Sequence, residues 1–158
     1  MKTITLPSAS EYAKYFIWKA SQEGKKITNK KLQKLLYYAQ AWHLAIGDKP
    51  LFKDPIEAWI HGPAIRSVYG QYKKYGFGYI DESINEKEIE GISSDKFLDE
   101  IWRVYGKHNA EYLEELTHNE EPWQVARGEI DGGVSSTNII SHDVMKSYYR
   151  KRLKDSKK

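Results

Sequence analysis

The run from Leu32 to Gly47 leaves this chain few ways to fold. Leu32, Leu35, Leu36, Ala39, His43 and Ile46 recur at the spacing of one helical face. Tyr38, Ala41, Trp42 and Ala45 widen that face until little of the second half is polar. A helix apolar nearly all round belongs inside a domain, so the remaining segments have to wrap it. At 158 residues the chain is long enough to do so as one domain with a sizeable core.

The flanking segments read as further helices. Ser8 stands three residues before Glu11, the spacing of a capping box, and Tyr12, Ala13, Phe16, Ile17 and Ala20 mark a buried stripe that Gly24 ends. Thr28 is placed to cap the central helix, and Gly47-Asp48-Lys49-Pro50 to turn the chain after it. Leu51 to Ile60 is irregular or briefly extended, because Pro55 suits only a helix start or extended chain. Gly62-Pro63 is expected to open the next helix, with Ile65, Val68, Tyr69 and Tyr72 inward and Gly76 and Gly78 closing it. Phe77 to Ser93 is polar, acidic and without a period.

Beyond that loop, Ser94 is the expected cap of a helix that turns Phe97, Ile101, Val104 and Tyr105 inward and ends near Gly106. Asn109 restarts the chain, with Ala110, Leu113 and Leu116 on one side. A corner follows at Thr117 to Trp123, with a short helix from Pro122, and Gly128 to Asn138 is loop, with Gly132-Gly133 and Ser135-Ser136 inside it. Ser141 caps the last helix, where Ile140 and Met145 sit at staple positions and Val144, Tyr148 and Tyr149 dock. The expected fold is all-α: a single compact domain of about six helices around a central buried helix, with at most a trace of β. Residues 1–150 make the domain and 151–158 a basic tail.

Composition narrows the function. With 40% hydrophobic residues, 12 Tyr and 5 Trp, the chain is not disordered. No stretch approaches the roughly 18 apolar residues of a membrane span, and the N-terminus lacks an apolar run of signal-peptide length, so no membrane partner and a cytoplasmic location are expected. The absence of cysteine removes disulfides, thiolate zinc sites and cysteine nucleophiles. The net charge of +3 is uneven: Lys146 to Lys158 carry +6, leaving −3 for the rest, with acidic groups gathered from Asp81 to Glu100. A basic tail steers acidic partners or nucleic acid; its plainer reading is a solvated chain end.

Catalytic chemistry is sparse. No two histidines share a helix at metal-ligand spacing, although His61, His118 and Glu120 or Glu121 have the residue types for a divalent ion. The plainer reading of His118 is a ring bonded to backbone at a tight corner. Ser141-His142-Asp143 holds triad residue types, but adjacency is not triad geometry. Glu111, Glu114 and Glu115 read as a solvated helix face, and no glycine loop cradles phosphate. No enzyme activity, catalytic residue, metal or cofactor is expected. The surplus lies in aromatics: Trp59, Tyr69, Tyr72, Tyr75, Tyr79 and Trp123 cannot all fit inside, and surface Tyr and Trp anchor protein partners.

Several short words then occur in a specific order. Lys34-Leu35-Leu36-Tyr37-Tyr38-Ala39-Gln40 lies on the central helix, Leu51-Phe52 follows it, and Ile56-Glu57-Ala58-Trp59 precedes His61-Gly62-Pro63. Later, Leu116-Thr117-His118 is followed by Pro122-Trp123. With Val68-Tyr69 and Tyr72-Lys73 between them, these words resemble the Panacea domain, the family of SocA-like antitoxins and GepA-like proteins of phages and mobile elements. The resemblance runs from about Ala9 to Tyr149. It implies a mostly helical antitoxin that neutralises a toxin encoded beside it by direct protein contact, with its signature in the folded body. At least one branch of the family delivers its toxin to a cytosolic protease.

Two sets of residues follow from this reading. The toxin-facing set is expected to be Trp59, Arg66, Tyr69, Tyr72, Lys73 and Tyr75, occluding the toxin through aromatic anchors with a charged rim. The motif residues Leu35, Leu36, Tyr38, Ala39, Trp42, His61, Gly62, Pro63, Thr117, His118, Pro122 and Trp123 are expected to be structural. Two rival readings stand beside the antitoxin: a nucleic-acid-binding regulator of its own operon, and a metal-dependent hydrolase built on His61, His118 and Glu121.

Overall fold

The fold is built around α2 (Asn29–Gly47), whose Leu32, Leu35, Leu36, Tyr37, Tyr38, Ala39 and Ala41 are completely enclosed. The structure is a computed structural model that describes residues 6–131 and 133–156. Met1 to Thr5, Gly132 of the glycine pair, and Lys157 and Lys158 of the basic tail lie outside the described residues. Around α2 stand α1 (Ala9–Gln22), α3 (Arg66–Tyr72), α4 (Lys96–Tyr105), α5 (Ala110–His118), α6 (Glu121–Arg127) and α7 (His142–Ser156). All but α6 touch α2 directly, and α6 packs on α5 and α7. The architecture is mostly helical, with seven α-helices among the described residues and one small antiparallel hairpin, β1 (Glu57–Trp59) with β2 (Gly62–Ala64).

Helix ends follow local chemistry in most places. The Thr28 hydroxyl accepts the Lys31 N–H at 3.2 Å, the Asn109 side chain accepts from Tyr112, and Ser141 Oγ accepts from Val144. Ile140 and Met145 are both buried, as a hydrophobic staple requires. Two caps differ from expectation. Ser8 flanks α1 without a side-chain cap bond, and α4 is capped by Asp95, whose carboxylate accepts from Leu98, rather than by Ser94. α2 does end at Gly47, but the left-handed residue that turns the chain is Asp48, at φ 61°.

Three burial expectations are corrected. Ile46, expected on the buried face of α2, is 60% exposed among the described residues. Val104 faces outward, and Leu98 and Trp102 take the inner face of α4 instead. The acidic loop is not free chain: Asn85 and Glu88 form a capping box for a 3-10 turn at Glu86–Ile89, and Ile80 and Ile89 plug into the core.

Polar side chains of α2 fix the connecting segments. Gln40 accepts the Leu51 N–H at 2.6 Å and donates to Phe52 O at 2.9 Å. Gln33 accepts the Ile65 N–H at 2.8 Å and donates to Asn29, whose own amide donates to Tyr69 O at 3.1 Å. Buried amides are costly unless every group is matched, so these glutamines specify where the chain crosses the helix. Gly62-Pro63 consequently lies in β2, not at a helix start, and α3 begins only at Arg66. Pro63 stands opposite Ala58, whose N–H is turned away to Asn138 O at 2.8 Å, so the missing proline donor leaves nothing unpaired.

One turn along α2 from Lys34, the Tyr38 hydroxyl donates to Glu120 at 2.5 Å and that of Tyr149 at 3.1 Å, while Trp42 donates to Tyr105 and the Tyr38 and Tyr105 rings stack at 4.0 Å. Burial pushes the Glu120 carboxyl above its ordinary range, against those hydroxyl bonds and the Arg152 charge. The basic end of the chain continues α7 through Ser156, and much of its charge is used internally. Lys146 meets Asp48 at 2.7 Å, Arg150 donates to Ala45 O at 2.9 Å, and Arg152 lies 3.8 Å from Glu120.

Candidate functional site

The hairpin, α3 and the start of α2 enclose a cavity of about 270 Å³, with Trp59, Ile60, Tyr69 and Phe77 among its apolar walls and Lys30 and Lys34 from α2. Trp59 is aimed there by its neighbours. Its indole donates to Glu57 at 2.9 Å, the Tyr69 ring meets it edge-on at 4.9 Å, and the Arg66 guanidinium lies 5.6 Å from its centre. Arg66 grips Glu57 with two bonds, at 2.8 and 3.1 Å. That pairing, more than the opposing burial, holds the Glu57 carboxyl below the usual carboxylate range.

The corner at Thr117 to Trp123 supports this wall from behind. The Trp123 indole donates to Trp59 O at 2.8 Å, its ring stacks on His118 at 4.0 Å, and Arg127 lies 4.9 Å from it. Arg127 also donates to Ala58 O at 3.2 Å, fastening α6 to β1. Burial lowers the His118 pKa, against the opposing pull of the Glu114 carboxylate. Leu35, Leu36, Tyr38, Ala39, Gly62, Pro63, Thr117, Pro122 and Trp123 are all buried, and Trp42 and His118 half-buried; His61 is exposed.

Glu114 is the carboxylate that His61 faces, at 3.4 Å, and Lys30 reaches it at 2.5 Å. Burial pushes its pKa up, but Lys30, His61 and His118 together outweigh that and hold it low. Glu114 is therefore not part of a solvated face. Glu120 is turned into the tyrosine cluster, away from the grouping with His61 and His118 that a metal site requires. Among the described residues no three His, Asp or Glu side chains are grouped to hold a metal ion.

Of the expected toxin-facing set, Trp59, Arg66 and Tyr69 come together at the cavity. Tyr72 does not join them at the surface: it is 3% exposed, because the inner stripe of α3 faces the core. Lys73 is exposed, and half-buried Tyr75 donates to Glu82 at 2.9 Å, tying the helix end to the acidic loop. Sequence reasoning passed over Phe77, which is wholly exposed, while Tyr79, one of the surplus aromatics it named, is 64% exposed. It also missed Lys34, which is 2% exposed because β2 covers it, a placement no local pattern announces.

A family model described as "Antitoxin SocA-like, Panacea domain" matches residues 32–124, from within α2 to within α6, and takes in most of the cavity wall but not Thr28, Asn29, Lys30 or Ser135. No curated protein matches, and no solved structure does. The match takes in both signature segments and more than half of the chain, and the chain therefore belongs to the SocA-like antitoxin family of Panacea domains.

Proposed function

We propose that this protein neutralises a cognate protein toxin by direct binding, not by catalysis, and that the face around the cavity is the docking surface. The observation that carries the reading is the grouping of Trp59, Arg66 and Tyr69 beside a wholly exposed Phe77. Trp, Tyr and Arg dominate binding energy at interfaces, and a pocket beside them gives a partner's side chain somewhere to insert. Trp59 and Arg66 are held through Glu57 and the Trp59 carbonyl in the unbound chain, so these two lose little entropy on docking.

The test is co-expression with the toxin encoded in the adjacent reading frame. The antitoxin rescues growth and co-purifies with the toxin; Phe77→Ala loses both while keeping the parent's circular dichroism and melting profile. Cells that die equally fast with or without the antitoxin, or a pair that never co-purifies, would sink the reading. Protease delivery is checked by pulse-chase: an adaptor shortens the toxin's half-life in cells that hold the protease and not in cells that lack it. The nucleic-acid reading is weakened by the commitment of Lys146, Arg150 and Arg152 to Asp48, Ala45 O and Glu120. No helix among the described residues is long and apolar enough to cross a membrane.

A further inference from the structure

Lys34 has no part in the docking face, yet its position is unusual. The residue is 2% exposed and lines the cavity. Its ammonium donates to one group, Pro63 O at 3.2 Å, although it carries three hydrogens. The carboxylate that acts on it from a distance, Glu114, is already engaged by Lys30 and His61. Close packing keeps the head in place: a Cβ on Gly62 would stand 2.6 Å from Lys34 Cε and 2.9 Å from Thr117 Oγ1. Buried charges are normally paired, and this one lacks a counterion among the described residues.

We propose that the cavity binds an apolar carboxylate, its anionic head on the Lys34 ammonium and its hydrocarbon or aromatic body against Trp59, Tyr69 and Phe77. One acidic head does not fill about 270 Å³, and the walls that remain are mostly apolar, with Glu111 the one carboxylate among the lining residues, so the ligand needs an apolar body. A phosphate is disfavoured because a dianion needs more donors than one free ammonium supplies. A free carboxylic acid and the C-terminal residue of a polypeptide share this chemistry. Burial pulls the Lys34 pKa down to about 7, and a bound carboxylate raises it, so uptake of the ligand carries a proton with it. Glu114 on α5 and Lys30 on α2 act on this proton and His118 feels the Lys34 charge, while His61 at the hairpin turn and Glu111 on α5 also line the cavity.

The ligand shares Trp59, Tyr69 and Phe77 with the docking face, but its binding does not require a toxin and its test uses none. The ¹⁵N-labelled full chain is titrated with hexanoate and phenylacetate, with hexanamide as the neutral control. In parallel it is titrated with a hexapeptide ending in a free leucine carboxylate and with the same peptide amidated. Saturable shifts of residues 59–64 and 76–77 are expected with the acids, and binding about tenfold weaker or worse with the amides. The Lys34 ε-CH₂ resonance titrates at higher pH in the complex, a change that apolar filling alone does not produce.

Lys34→Met abolishes the preference for acid over amide. Because that preference is measured on the unaltered protein as well, a variant that misfolds does not decide the matter. A peptide that binds more tightly than hexanoate assigns the site to a chain terminus, and the reverse order assigns it to a free acid. Equal binding of acids and amides, or no saturable binding of any acid up to about 20 mM, overturns the proposal.

Discussion

Replacing Lys34 by methionine removes the buried charge at nearly constant length, and its effect on stability depends on pH in a calculable way. Burial holds the folded-state pKa at about 7, against 10.5 for an exposed lysine. The unfolded chain therefore binds the extra proton between those values, and stability rises with pH there. Lys34's contribution is fully present above the unfolded pKa and is lost as pH falls through about 7. Each unit is worth about 1.4 kcal/mol, so between about pH 6 and about pH 9 the parent gains about 3 kcal/mol on Lys34→Met.

Losing the bond to Pro63 O costs the variant about 1 to 3 kcal/mol, but that cost does not change with pH. The slope, not the offset, carries the prediction. Urea unfolding of both proteins, followed by far-ultraviolet circular dichroism across that range, gives the difference, and groups common to both cancel. A gap constant to within about 0.5 kcal/mol would falsify the burial of a titrating ammonium here.

Tyr38→Phe removes a hydroxyl bonded to the buried Glu120 carboxylate at 2.5 Å, and is expected to cost about 1.5 to 3 kcal/mol in urea melts. The loss is larger above Glu120's raised pKa than below it, since the hydroxyl favours the ionised form; a loss that grew on acidification would refute the assignment. Gly62→Ala meets both a φ of 104° and the Lys34 contact, and is expected to lower stability by about 2 to 4 kcal/mol in the same assay. Thr28→Ala removes one cap of α2, for about 1 kcal/mol and a fall of a few degrees in Tm. Phe77→Ala leaves the melt within about 0.5 kcal/mol of the parent but weakens toxin binding about tenfold or more in a direct titration, because the ring is wholly exposed at the cavity rim in the free chain.

The sequence by itself determined what depends on near neighbours. The apolar circumference of α2 demanded an enclosing shell, and Thr28, Asn109, Ser141 and the Ile140–Met145 pair mark helix starts through contacts a few residues apart. Family membership was also legible, since its words lie in fixed order along the chain.

Tertiary structure decided whatever rests on a partner far along the chain. Gly62-Pro63 reads locally as a helix start, but Gln33, Ala58 and the Asn138 segment draw it into a hairpin. Tyr72 and Phe77 are both aromatics near one helix end; the packing of α3 buries the first and leaves the second in water. Glu114 turns from an outer face to an ion pair only because Lys30 and His61 arrive beside it. Lys34 becomes a charge without a counterion only because β2 is laid across it. Periodicity follows from backbone geometry and is local, whereas the burial of a polar group depends on which distant segment covers it.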